Sequence, residues 1–296
     1  DVGSLTVDAM TTLTATGGVD IAAGATGAIN GAVLGDLTTA GDTDISNTGS
    51  VSGTVTNSGT GSSNAGTINA LSNTAGTFAN SGTITTTAAV SDGTVTNTGT
   101  ITGTSTVSGT GALVQDSGSA GAIDVTAGSL DINGGTTGAI ANTGGTVTLG
   151  GGAIGDTTVA SLSQSGTATS TTVDGNATVT GLTDIDVGSL TVDAMTTLTA
   201  TGGVDIAAGA TGTINGAVIG TVTNAGTGSS NAGTINALSN TAGTFANSGT
   251  ITTTADVSDG TVSNTGAING LTTLSGMGVL DADGGSFAGG ILTQGG

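Results

Sequence analysis

The sequence predicts an all-β fold: a parallel β-solenoid, or β-helix, with three short strands per coil of about 17 residues and roughly 17 coils along the chain. Three observations predict it. A pentapeptide returns at Asn64-Ala-Gly-Thr-Ile68, Asn80-Ser-Gly-Thr-Ile84 and Asn97-Thr-Gly-Thr-Ile101, at steps of 16 and 17 residues. Apolar residues at Phe78, Ile84, Val90, Val95, Ile101, Val107 and Leu113 fall 6, 6, 5, 6, 6 and 6 apart, one for each side of a three-sided coil. Finally, residues 1–33 return as 186–218 at an offset of 185, and residues 55–88 return as 222–255 at an offset of 167, each with one change. The offsets differ by 185 minus 167, or 18 residues, which is about one coil. A solenoid loses a whole coil without shifting the register of its neighbours, because each layer touches only the layers above and below.

Composition agrees. The 296 residues include 58 Gly, three Phe, no Trp, no Tyr and no Pro, which excludes an ordinary aromatic core. The 35% of hydrophobic residues, placed at regular intervals, is not the signature of disorder. All 20 acidic residues are Asp, and Thr, Val, Ile, Ser, Asn and Gly dominate, which is strand and turn chemistry. The net charge of -20, with no Lys or Arg, argues against nucleic acid and anionic membrane surfaces as partners. No apolar run approaches the roughly 18 residues of a membrane-spanning helix, so no membrane insertion is expected. Without Cys there are no disulfides and no thiol metal sites.

Along the chain, Leu5-Thr-Val7, Val19-Asp-Ile21 and Leu37 supply inward residues, with Gly17-Gly18, Gly24 and Gly27 as expected corners. The pentapeptides follow. From Thr102 to Asp184 the pentapeptide decays, yet the spacing persists through Ile123, Val125, Leu130, Ile132, Ile140, Val147, Leu149, Ile154, Val159, Leu162, Val173 and Val179. The tail after Leu274 is richer in Gly and less regular. No linker divides the chain, so residues 1–296 read as one continuous solenoid, a segment of a longer array whose start at Asp1 marks a processed product or a piece.

Each pentapeptide residue has an expected place. Gly66, Gly82 and Gly99 supply positive φ at sharp corners. Asn64, Asn80 and Asn97 stack as a hydrogen-bonded amide ladder, with a ligand-binding role as the alternative, and Ile68, Ile84 and Ile101 stack inside. The second copy repeats this with Asn231, Asn247 and Asn264, and with Ile235, Ile251 and Ile268.

Chemistry has few carriers. Nucleophilic catalysis and zinc binding lack His, Lys and Cys, and Asp116-Ser-Gly118 is a lone arm of an aspartic-protease-like pattern, so the chain is expected not to be an enzyme. No cofactor is expected, except that Asp42 with Asp44, Asp184 with Asp186, and Asp281 with Asp283 pair carboxylates about 7 Å apart on one side of a strand, a weak calcium candidate. The calcium nonapeptide is absent; its nearest match, Gly151-Gly-Ala-Ile-Gly-Asp156, has Ile154 where Gly is required. Asp20, Asp124, Asp131 and Asp205, set between apolar neighbours, read as a solvated, self-repelling outer face.

Thr-x-Thr recurs at Thr83-Ile-Thr85, Thr100-Ile-Thr102, Thr178-Val-Thr180, Thr197-Leu-Thr199 and Thr250-Ile-Thr252, and partly resembles the ice-contacting face of some solenoid antifreeze proteins. More broadly, the Asn-x-Gly-Thr-Ile units and their Gly- and Thr-rich surroundings resemble the β-strand repeat regions of bacterial autotransporter passengers and filamentous haemagglutinin-like adhesins, over essentially the whole chain. That resemblance implies secretion to the cell surface, a role in adhesion, matrix or filament formation, and no catalytic residues. It favours a right-handed coil, whereas spacing near six is that of left-handed hexapeptide helices. The expected function is an extracellular structural filament or stalk that self-associates along its axis. The alternatives are an adhesin taking a cell-surface or matrix ligand, and an ice binder.

Overall fold

A computed structural model describes residues 3–150 and 156–294. Ile154 and the glycine-rich stretch before Asp156 lie outside these. In both halves the chain is short parallel strands joined by tight corners, and no helix occurs among the described residues. The fold is a parallel β-solenoid of about 16 turns, averaging about 18 residues per turn. The turn is longer than the pentapeptides alone suggest because some turns carry wider loops: Leu5 pairs with Gly27, and Leu190 with Gly212.

The described residues form two compact units, 3–138 and 139–150 with 156–294. In the first, one side of the coil stacks Ser4–Val7, Thr26–Ile29, Asp42–Ile45, Ser62–Asn64, Thr77–Asn80, Thr94–Asn97, Ala112–Gln115 and Ser129–Ile132. The second side carries the in-register file Leu13, Val33, Val51, Ile68, Ile84, Ile101 and Ala120. The third includes Val19–Ile21, Leu37–Thr39, Ala88–Val90, Ser105–Val107 and Ile123–Val125. The second unit repeats the scheme, with Val218, Ile235, Ile251 and Ile268 in register on the corresponding side.

Alternation makes these strands: the middle residue of each triplet faces out and its neighbours face in. A turn therefore has five inward positions, two on the first side, one on the second and two on the third. In one turn they are Phe78, Asn80, Ile84, Ala88 and Val90, all buried. Size complementarity runs between layers as well as within them. Phe78 lies in register with the small Ser62, and Gly27, expected at a corner, lies inside the strand Thr26–Ile29, where a Cβ would stand 2.9 Å from Thr43 Oγ1. Gly27 is therefore a packing residue, leaving room for the inward side chain of the turn above.

The two copies of the duplicated sequence show what a whole-turn deletion looks like. In the first unit Val33 pairs with Val51 and Leu37 with Val55, so one complete turn separates Val33 from Val55. In the second unit their counterparts, Val218 and Val222, sit in a single strand, Ala217–Asn224. Local context also decides conformation. Val19–Ile21 and Thr26–Ile29 are separate strands around Gly24 at φ 79°, whereas the counterpart runs as one strand, Val204–Ile214. There, Gly209 and Ala210 pair with Val187 and Gly188 and are held extended.

Candidate functional site

The most ordered constellation is internal. Asn64 ends a first-side strand with its side chain pointing inward and fully buried. Its Oδ1 accepts from the Gly66 amide at 3.1 Å, closing the corner, while its Nδ2 donates to Asn80 Oδ1 one turn on at 2.7 Å. Asn80 Nδ2 donates to Asn97 Oδ1 at 2.6 Å, and Asn97 Nδ2 to Gln115 Oε1 at 2.7 Å. In the second unit Asn231 donates to Asn247 at 2.7 Å and Asn247 to Asn264 at 2.6 Å. A third-side pair accompanies each ladder: Asn57 to Asn73 at 2.7 Å, and Asn224 to Asn240 at 2.8 Å. These amides are buried, so each leaves water only because the next turn supplies its partner. Ile68, Ile84, Ile101, Ile235, Ile251 and Ile268 are buried as well.

The glycines of the pentapeptide serve differently from expectation. Gly66, Gly82 and Gly99 are not among the positive-φ residues. They are glycine because successive corners stack backbone on backbone. A Cβ at Gly66 would lie 2.1 Å from Gly49 O, at Gly82 2.1 Å from Gly66 O, and at Gly99 2.2 Å from Gly82 O. Positive φ falls at another corner, at Gly76 (64°) and Gly93 (73°).

Several of the acids tie neighbouring turns together. Asp36 Oδ1 accepts from the Thr54 amide at 2.8 Å, Asp44 from Ser63 Oγ at 2.7 Å, and Asp116 from Asn133 Nδ2 at 2.8 Å. Asp259 takes the Met277 amide at 3.2 Å. Each bond joins one turn to the next, a role for aspartate that the linear sequence gives no sign of. Asp116 is thereby tied at a corner beside Gly118, at φ 71°. Asp42 and Asp44 face outward on one strand, and Asp184 and Asp186 lie on another, with Asp205 in register beside Asp184. Asp281 and Asp283 are exposed. No group of three or more acids among the described residues stands close enough to hold a metal.

Burial, with like charge added to it, acts on two of the acids. The Asp184 carboxyl is pushed up, first by burial and then by Asp186 and Asp205. Asp174 is also pushed up, chiefly by burial; its own backbone amide opposes the shift and Asp193 adds to it. The chain contains no Lys, Arg or His to compensate. Folding therefore favours the protonated form, and the associated stability is complete below the ordinary value of 3.8 and is lost as pH rises through the raised values. Thermal unfolding is expected to move to higher temperature on acidification from about pH 7 toward about pH 4, and also on adding salt at neutral pH. A melting temperature that falls over that range would contradict this.

The outer face of the first side in the second unit is a two-file array of hydroxyls. Thr146 and Thr148, Ser170 and Thr172, Ser189 and Thr191, and Thr211 and Thr213 occupy the outward positions of four successive turns, paired residue for residue. Neighbouring turns lie about 4.8 Å apart and the two files about 7 Å. The Thr-x-Thr units noted from sequence lie elsewhere: Thr83 and Thr100 pair on the second side, and Thr178 faces Thr199.

These features define the class, a parallel β-solenoid whose specific bonds run from turn to turn. No family model matches the chain, and neither a curated protein nor a solved structure matches it.

Proposed function

We propose that the chain is an extracellular structural protein, a filament or stalk of a bacterial surface or matrix, akin to the repeat regions of autotransporter passengers and haemagglutinin-like adhesins. The observation that carries this reading is where the fold puts its recognition chemistry. Amide ladders, aliphatic files, stacked glycine corners and aspartate bonds all join one turn to the next along the axis. Such an assembly supplies length and stiffness, with no catalytic group required. Its partners are turns of its own kind. Electron microscopy of the native material tests the reading: continuous fibres with an axial repeat near about 4.8 Å are expected, whereas compact particles without axial order would reject it.

A second reading, a binding face, is favoured by the in-register hydroxyl pairs from Thr146 to Thr213. On an adhesin or an ice binder this uncharged, regularly spaced array is the surface that would meet the ligand. Discrete rods in the microscope together with thermal hysteresis in solution would select the ice binder; rods without hysteresis would select the adhesin.

A further inference from the structure

The three methionines of the chain are all outside the core. Met10 is 102% exposed, Met195 100% and Met277 82%, while the buried apolar residues are Val, Ile, Leu, Ala and Phe. Met10 and Met195 are counterparts in the duplicated sequence and crown the same loop. The Thr11 amide donates to Asp8 O at 3.1 Å and the Thr196 amide to Asp193 O at 3.2 Å, closing four-residue turns in which the methionine takes φ 62° or 67°. That is the position of a tight turn where glycine or asparagine is usual. In both units, therefore, a long apolar side chain stands fully in water. Met277 tops another four-residue turn, closed by the Gly278 amide to Ser275 O at 3.0 Å, in which the positive φ falls on Gly276 (55°).

The rest of the chain offers an oxidant little else. It has no Cys, Trp, Tyr or His. A thioether is the most readily oxidised group that remains, and its sulfoxide is polar. Buried, a sulfoxide disrupts packing; at these loop tips it meets only solvent.

We propose that Met10, Met195 and Met277 are oxidation sites through which the chain consumes peroxide-class oxidants without loss of fold. In each event the sulfur lone pair attacks one oxygen of hydrogen peroxide. An S–O bond forms, the O–O bond breaks, and water leaves carrying the displaced oxygen. Sulfur is oxidised by two electrons and the peroxide is reduced by two. Reductases of the methionine sulfoxide class would restore the thioether.

The test treats the full chain with hydrogen peroxide and follows intact mass, peptide masses after cleavage at aspartate, circular dichroism and thermal unfolding. Expected is a gain of three oxygen atoms, with Met10 and Met195 reacting as fast as in the urea-unfolded chain, and with an unchanged spectrum and melting temperature. Reaction much slower than in the unfolded chain would overturn the proposal, as would loss of structure in step with oxidation. The chain carrying Met10→Leu, Met195→Leu and Met277→Leu is expected to fold and gain no oxygen; a gain there would place the reactive groups elsewhere and also overturn it.

Discussion

Gly82→Ala is expected to destabilise the first unit by about 3 kcal/mol. The new Cβ would stand 2.1 Å from Gly66 O and 2.6 Å from Ala65 C, and both atoms belong to backbone that is fixed by its own bonds. The Thr83 amide donates to Gly66 O at 2.8 Å, so moving that carbonyl away breaks a bond of the corner. A flexible side chain could swing aside, but a stacked corner cannot. Gly17→Ala is the matched control: nothing lies within 4 Å of its Cβ position and its φ is not positive. It is expected to be neutral or stabilising by about 0.5 kcal/mol, through loss of freedom in the unfolded chain. Thermal unfolding by circular dichroism separates the two, and equal melting temperatures would remove the close-approach explanation.

Asn80→Ala is expected to cost about 3 kcal/mol, because it removes two short buried hydrogen bonds at once. Asn64 Nδ2 loses its short bond and keeps only Thr83 O at 3.4 Å, and Asn97 Oδ1 loses its donor, both at buried positions. The same inward file carries Ile45 before Asn64 and Ile132 after Gln115, so an aliphatic chain fits the space. Replacing Asn64, Asn80, Asn97 and Gln115 together by aliphatic residues is therefore expected to cost much less than the sum of the single changes. Denaturant unfolding of the single and combined variants measures the difference. Additive losses would mean that the amides contribute independently.

The architecture was legible because solenoids write themselves as period. Spacing near six put Phe78, Ile84, Val90, Val95, Ile101, Val107 and Leu113 inside, and all seven are buried. The same spacing hid part of the core. Counting apolar residues alone suggested one inward position per side, whereas Asn80, Asn57 and Ser105 are as deeply placed as their aliphatic neighbours. Gly82 illustrates a second limit. Sequence marks a glycine but does not say whether it is there for φ or for room, and only the stacked carbonyl of Gly66 distinguishes them.

The hydroxyl array was hidden for another reason. Its inward residues are Val147, Thr171, Leu190 and Gly212, so no single motif spans the four turns, and register alone brings them together. Context limits inference too. Residues 22–25 bend around Gly24 while 207–210 stay extended, although the two stretches are identical in sequence, because pairing with Val187 and Gly188 fixes the second.

The amide ladders also give the solenoid a direction. Every ladder amide points the same way: nitrogen toward the later turn, oxygen toward the earlier one. A row of parallel amides is a row of dipoles, and each bond polarises the next. One end of the row therefore presents a carbonyl, as at Asn231, whose Oδ1 has no partner, and the other end presents an N–H, as at Asn264. A turn inserted upside down would set carbonyl against carbonyl. The polarity of the polypeptide is thus written a second time in its side chains, and growth by added turns has a built-in sense.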